Sequence, residues 1–308
     1  MQRIGELYSA LCALLWASAV IFFRKSGEQV PPVALNVFKG AVSLVLFFVT
    51  MLVLRTPFRP PENSLQDWLT LLASGAIGIG IADSLFFASL NRLGASGAAV
   101  VDCIYGPFVV LCAHLYLGEP LRPTLLVATA LMVTAILIGT WEPVRVSPAV
   151  GTWAPPPGGE PADRRQRRLG VTLGVLSMLL MAIGIVLAKP VLNRSNVWWS
   201  TPLRVVGGQL LLSVQALLPA HRASVARAFR PGRRWLHMLP SAVLGSYLAM
   251  VAWIAGMKHT RAGIAGILNQ TSTLFMPLLA AVFLREKLTR RKLLAVGLGF
   301  VGALVVTL

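Results

Sequence analysis

The sequence predicts an all-α integral membrane protein with ten transmembrane helices, arranged as two inverted five-helix repeats. Three observations carry that expectation. Of the 308 residues, 56% are hydrophobic and only 13% charged, with a mean hydropathy of +0.72, and the apolar residues come in runs rather than at an amphipathic spacing. Ten such runs approach the roughly 20 residues needed to cross a hydrocarbon layer about 30 Å thick. The landmark residues of the first half then recur in the same order in the second.

In chain order the runs fall near 7–23, 33–54, 69–90, 97–116, 124–141, 170–188, 202–219, 236–257, 264–284 and 293–308. The first could pass for a signal peptide, since Met1-Gln2-Arg3 is a short basic start and Ala17-Ser18-Ala19 resembles a cleavage site. Its apolar character continues through Val20 to Phe23, and the second half has a counterpart ending at Lys189, so a span is the better reading. The fourth and ninth runs contain Pro107 and Pro277, which membrane helices tolerate when neighbours satisfy the freed carbonyls.

Between Trp141 and Leu169 the composition turns to Pro, Gly, Arg and acidic residues, as in Ala154-Pro155-Pro156-Pro157-Gly158-Gly159 and Asp163-Arg164-Arg165-Gln166-Arg167-Arg168. The expected units are therefore a first repeat over 5–141, a solvated linker over 142–168 and a second repeat over 169–308. Five spans precede the linker and five follow. Because five is odd, the second repeat enters the membrane from the opposite side, and the halves are inverted copies.

The repeat can be read residue by residue. Phe23-Arg24-Lys25, Lys39-Gly40, Trp68-Leu69 and Tyr116-Leu117-Gly118-Glu119-Pro120-Leu121 are answered by Leu187-Ala188-Lys189, Arg204 with Gly207, Trp235-Leu236 and Phe283-Leu284-Arg285-Glu286-Lys287-Leu288. From Trp68 onward a single offset of 167 links Trp68 to Trp235, Ala98 to Ala265, Phe108 to Phe275 and Glu119 to Glu286.

Two five-span units, each with a cation after its first span, another early in its second and Gly/Arg-Glu-x-Leu between its last two, resemble the EamA-type branch of the drug/metabolite transporter superfamily. The resemblance covers nearly the whole chain. It implies ten helices, a central substrate cavity and transport of small metabolites, more often export than uptake, in a multi-pass protein of the bacterial cytoplasmic membrane. Lys39 departs from the pattern, since the family more often shows Arg there, as Arg204 does in the second half.

The net charge of +17 would suggest nucleic acid as a partner of a soluble protein. Here the Lys and Arg residues cluster in short loops, where anionic membrane lipids and topology account for them, and no nucleic-acid partner is expected. The family pattern places the amino terminus in the cytoplasm, whereas most basic residues then lie outside, against the positive-inside rule. Cys12, Cys103 and Cys112 lie in apolar runs with no CxxC pair and no His at ligand spacing, so they read as core residues and no metal site is expected.

A charge inside a span costs several kcal/mol on insertion scales and needs a partner, water or a function. Lys39, Asp83, Asp102 and Arg204 meet that description. They could pair with one another, but the second half has no embedded acid. Arg204 must then reach across the repeat interface to an aspartate, bind an anionic substrate group or snorkel to water. The offset relates Asp102 to Asn269, and Lys39 matches Arg204, so these are natural liners of a cavity on the pseudo-twofold axis. With Tyr105, Gln270 and Asn36 nearby, and Trp253 or Phe86 as apolar walls, they could hold the two ends of a zwitterion. The substrate-cavity candidates are thus Lys39, Asp102, Tyr105, Arg204, Asn269 and Gln270. Asp83 and Asp102 are candidates for proton coupling, although a structural partnership of Asp83 with Lys39 competes with that reading.

Glu119 and Glu286 read as anchors of helix ends, His114 as a hydrogen-bonded interior residue, and Lys25 and Lys189 as interfacial anchors. Gly297-Leu298-Gly299-Phe300-Val301-Gly302 matches G-x-G-x-x-G but follows no strand and lacks the acidic residue downstream, so it reads as close helix packing, as do Gly170, Gly174, Gly75, Gly78 and Gly80. With no P-loop and no convergent catalytic set, the expectation is a secondary transporter of a small-molecule substrate working by alternating access, without enzyme activity or cofactor. A monomer could suffice, or a weak homodimer. The competing reading is a non-transporting membrane scaffold or assembly subunit.

Overall fold

The computed structural model describes residues 2–27, 29–58, 60, 62–86, 88–89, 92, 101–102, 104–140, 164–284 and 290–307. Their regular structure is helical, with no strand among the described residues. In chain order the helices are α1 (Gln2–Gly27), α2 (Pro32–Val53), α3 (Leu65–Gly75), α4 (Tyr105–Leu117), α5 (Pro123–Thr140), α6 (Arg164–Arg194), α7 (Val197–Leu217), α8 (Pro219–Ala228), α9 (Trp235–Ser241), α10 (Ala249–His259), α11 (Ala262–Asn269), α12 (Ser272–Leu284) and α13 (Arg290–Thr307). Two π-helical turns, Ala76–Ile81 after α3 and Ala242–Leu248 between α9 and α10, sit at repeat-equivalent places.

Local chemistry sets the helix starts. Pro32 and Pro219 occupy first turns, where a missing N–H costs nothing. Ser64 and Asp67 form a reciprocal capping box on α3, and the Asn196 side chain accepts from Trp198 N at 2.9 Å on α7. Gly118 ends α4 in the left-handed region at φ 66°, turning the chain so that Glu119 faces the second repeat.

Five stretches among the described residues are long and apolar enough to cross a membrane: Arg3–Phe23, Val33–Val53, Leu65–Phe86, Arg168–Arg194 and Trp235–His259. Val197–Leu217 and Pro219–Ala228, bent from each other by 114°, make a sixth if the pair is counted as one span, and Tyr105–Leu117, Pro123–Ala135 and Val296–Val305 are shorter apolar helices. The ninth expected run is broken, since the chain turns at Gln270–Thr271 between α11 and α12. Its first-half counterpart also turns, at Ile104, so Asp102 and Asn269 stand just before equivalent breaks. Most of the expected linker, 142–163, lies outside the described residues, while Arg164–Arg168, expected in that linker, forms the start of α6, consistent with the good helix propensity of Arg and Gln. Glu286 and Arg285 also lie outside them.

Each helix of one half packs on the other half. α1 runs along α9 to α12, α2 along α7 and the second π turn, α3 and the first π turn along α6 and α7, α4 along α6 and α11, and α5 along α13. Exchanging the halves relates the contacts of α1 with α9, the second π turn and α12 to those of α6 with α3, the first π turn and α4, among the described residues. Small residues permit the closest crossings: a Cβ on Gly75 would strike the Arg204 carbonyl, and one on Gly207 the Leu72 carbonyl. Gly299 packs on Leu274 and Gly302 faces Ala128, but Gly297 has nothing within 4 Å, so the close-packing reading fails for that glycine.

Candidate functional site

Arg204 lies two turns into α7, only 3% exposed, and does not snorkel. Its Nε donates to Ser74 Oγ at 2.9 Å, and Ser74 in turn donates to the Gly184 carbonyl, so one serine joins α3, α6 and α7. The guanidinium Nη1 is buried without a hydrogen-bond partner among the described residues. A buried donor left unpaired costs about 1–3 kcal/mol, more when charged, and calls for an explanation.

Tyr105 lies in the same buried neighbourhood as Arg204, Asp102 and Cys12. Its ring lies against Trp253, with centroids 6.5 Å apart. Cys12 donates to Asn269 Oδ1 at 3.2 Å, and Gln270 Nε2 donates to the Asp102 carbonyl at 3.0 Å. Two bonds thus cross the repeat interface here, Cys12 to Asn269 and Gln270 to the Asp102 carbonyl, with Tyr105 and Arg204 in the same neighbourhood. Cys12 is a buried core residue, as expected, whose thiol also donates to Asn269.

Lys39 belongs to a different group. Its Nζ lies 5.4 Å from the Phe23 ring and 5.9 Å from the Trp16 ring, both on α1, and Asp83 is the acid that acts on it. Asn36, one turn earlier on α2, is 3% exposed and its Nδ2 has no partner among the described residues. The repeat relation between Lys39 and Arg204 thus resolves into unlike surroundings: an acid and two aromatic rings for one, a serine and a tyrosine for the other. Only the first half carries an acid deep in its third span, since Asp83 is answered by Met250.

At the chain-terminal end of α6 lies a third polar cluster. Both Glu119 oxygens accept backbone N–H groups at the start of α11, Ala262 N at 2.8 Å and Gly263 N at 3.2 Å, which agrees with its reading as a helix-end anchor. Lys189 differs from an interfacial anchor. It is 5% exposed and donates to the carbonyls of Met257 and Thr260, where α10 ends, with Glu119 acting on it electrostatically. Cation at one helix end and anion at the next satisfy both sets of orphan backbone groups. Nearby, Arg194 pairs with Asp67, Asn63 donates to Ser195 Oγ at 2.6 Å, and Lys258 donates to the Ser195 carbonyl. Asp67 is a buried acid that a search for mid-span charges misses; the Ser64-x-x-Asp67 capping pattern was its signal. His114 is exposed, with its Nδ1 2.8 Å from the Glu119 carbonyl, and is not an interior residue.

A family model described as the EamA-like transporter family matches residues 3–141 and again residues 168–308. The chain belongs to that family. Protein PecM of Dickeya dadantii (strain 3937) is 25% identical over 252 residues, covering 78% of this chain and 74% of that protein. A riboflavin transporter of Brucella anthropi is 31% identical over 98 residues, covering 32% of this chain and about a third, 34%, of that protein. A crystal structure 18% identical in sequence shares the fold, with a TM-score of 0.77 over 100% of this chain and 97% of that one. As an EamA-like transporter, the chain is a multi-pass integral membrane protein built from two repeats.

Proposed function

We propose that this chain is a secondary transporter that moves a small metabolite by alternating access between two inverted five-span repeats, 5–141 and 169–308, in a bacterial cytoplasmic membrane. Export is the favoured direction. The observation that carries the reading is Arg204: a guanidinium 3% exposed at the interface of the two halves, held by one serine, with Nη1 unpaired among the described residues. Such a donor suits an anionic group of the substrate, and the neighbouring Tyr105 and Trp253 rings suit an apolar or planar portion. The naming of one relative as a riboflavin transporter is in keeping with a planar solute.

Within the candidate set, Arg204, Tyr105 and Asp102 are assigned to substrate contact. Asn269 and Gln270, already bonded to Cys12 and the Asp102 carbonyl, position the helix break. Lys39 lines the path near its aromatic neighbours, and Asp83 or Asp102 carries the coupling proton. The cluster at Lys189 and Glu119 is assigned to the closed face of this state. No cofactor and no catalytic step are part of the proposal.

The test is untargeted mass spectrometry of cells and medium, comparing the intact chain with Arg204→Ala at equal membrane levels. A metabolite that changes compartment only with the intact chain supports the reading. A variant that cannot reach equal membrane levels, or no metabolite difference between the two, would favour a scaffold whose polar residues only hold helices together.

A further inference from the structure

α7 ends at Leu217, and the chain turns by 114° into α8. One side of α8 is fixed: Val225 and the buried Ala228 pack on α2 together with Phe38 and Met238. Phe38 sits between Phe229 and Trp235, with ring centroids 5.3 Å away in each case, and Trp235 Nε1 donates to the Ala228 carbonyl at 3.1 Å. The segment is therefore a built surface rather than a loose loop.

The segment from α8 through the following turn carries five arginines within thirteen residues, Arg222, Arg227, Arg230, Arg233 and Arg234, four of them exposed. None forms an ion pair among the described residues; the side-chain bond found is Arg227 Nε to its own helix at Ala223 O, 3.3 Å. The sequence offers no local acid either, since no Asp or Glu occurs between Asp163 and Glu286. Flanking the arginines, Leu217, Leu218, Phe229 and Leu236 are 41–74% exposed. A segment bent away from its span, in which exposed arginines without ion pairs among the described residues alternate with exposed apolar side chains, has the composition of a surface seated at the headgroup boundary.

We propose that α8 and the turn through Leu236 form a binding face for anionic phospholipid headgroups, the arginines holding the phosphates and the four apolar side chains entering the acyl region. Arginine suits this occupant because its planar fork binds phosphate oxygens bidentately. The face is anchored through Phe38 to the helix that carries Lys39, so occupancy stabilises α2 and registers as protein stability. Surface attraction of this kind gains roughly five-fold in partitioning per arginine and decays over a Debye length of about 8–10 Å.

The experiment uses the full chain purified into nanodiscs of phosphatidylcholine alone or with about a third phosphatidylglycerol, with melting followed by intrinsic fluorescence and bound lipid counted by native mass spectrometry. The expected result is a higher melting temperature and retained phosphatidylglycerol in the anionic discs, both reduced by 0.5 M salt. The quadruple variant Arg222→Gln, Arg227→Gln, Arg230→Gln, Arg233→Gln should lose most of that difference, whereas Arg122→Gln with Arg261→Gln, across the membrane, should keep it. The charge-retaining quadruple Lys variant guards against misfolding: it should hold more phosphatidylglycerol than the Gln variant. Equal melting in both discs, an undiminished shift in the Gln variant, or the same stabilisation by inorganic phosphate alone would each overturn the proposal. The readout requires no transport substrate, so its outcome is independent of the transporter reading.

Discussion

Lys25 and Lys189 close the first long helix of their respective halves, yet their surroundings differ. Lys25 is half-buried and has no hydrogen-bond or ion-pair partner among the described residues, whereas Lys189 is nearly sealed from solvent and holds the two carbonyls at the end of α10. The same residue in the same motif is bonded on one face of the molecule and unbonded on the other. A pseudo-symmetric chain therefore need not be symmetric in energy: the bonds of a repeat motif depend on which face the halves have drawn together. The face around Lys189 also holds Glu119 on the start of α11 and Asp67 against Arg194.

The largest effect on this contrast is expected from Lys189→Met. The substitution keeps the length of the stem but leaves the Met257 and Thr260 carbonyls without their donor and Glu119 without its neighbouring cation. Removing one member of a buried charged cluster costs about 3–5 kcal/mol. The expectation is a large fall in the melting temperature of the detergent-solubilised protein; a change no larger than that of a surface substitution would show that the bonds at Lys189 are incidental.

Much of this arrangement was legible in the sequence, and the remainder was hidden for identifiable reasons. The apolar runs, the offset linking Trp68 to Trp235 and the glycines at α3 and α7 are patterns, and patterns survive without coordinates. Arg204 could be recognised as a costly charge, but its partner Ser74 is one hydroxyl in an apolar run, and serine there carries no periodic signal. Lys189 looked like an anchor because a cation near a span end normally snorkels. What draws it inward are the Met257 and Thr260 carbonyls at the end of α10: the gap between the eighth and ninth runs marked that chain break, but not that it would sit against Lys189. The two π turns were equally silent, since an extra residue per turn leaves the hydropathy unchanged. Lys39 and Arg204 looked equivalent because they match in the repeat, and they part because Asp83 has no second-half counterpart.

A smaller effect is expected from Glu119→Ala. The carboxylate caps α11 through two backbone N–H groups, and losing an N-terminal cap of this type costs about 0.5–2 kcal/mol. Glu119→Gln should recover part of the loss, because the amide oxygen still accepts one N–H while the charge facing the helix dipole is gone. Thermal unfolding of the three proteins in parallel checks the order: intact, then Gln, then Ala. If Ala and Gln were equal, charge rather than hydrogen bonding would dominate the cap.

Lys25→Met carries the smallest expected effect and bears most directly on the two lysines. It alters the repeat partner of Lys189 at a position with no bond to lose among the described residues, so its cost in this state should stay within about 0.5 kcal/mol, as for an ordinary surface substitution. Measured beside Lys189→Met, it turns a difference in geometry into a difference in stability. Under the proposed alternating access the two halves exchange roles during the cycle, and Lys25 would then acquire the bonds that Lys189 gives up. Lys25→Met should accordingly leave melting almost unchanged while slowing turnover of the reconstituted transporter. A variant silent in both measurements would show that the bonding at Lys189 belongs to one repeat alone and is not shared by exchange.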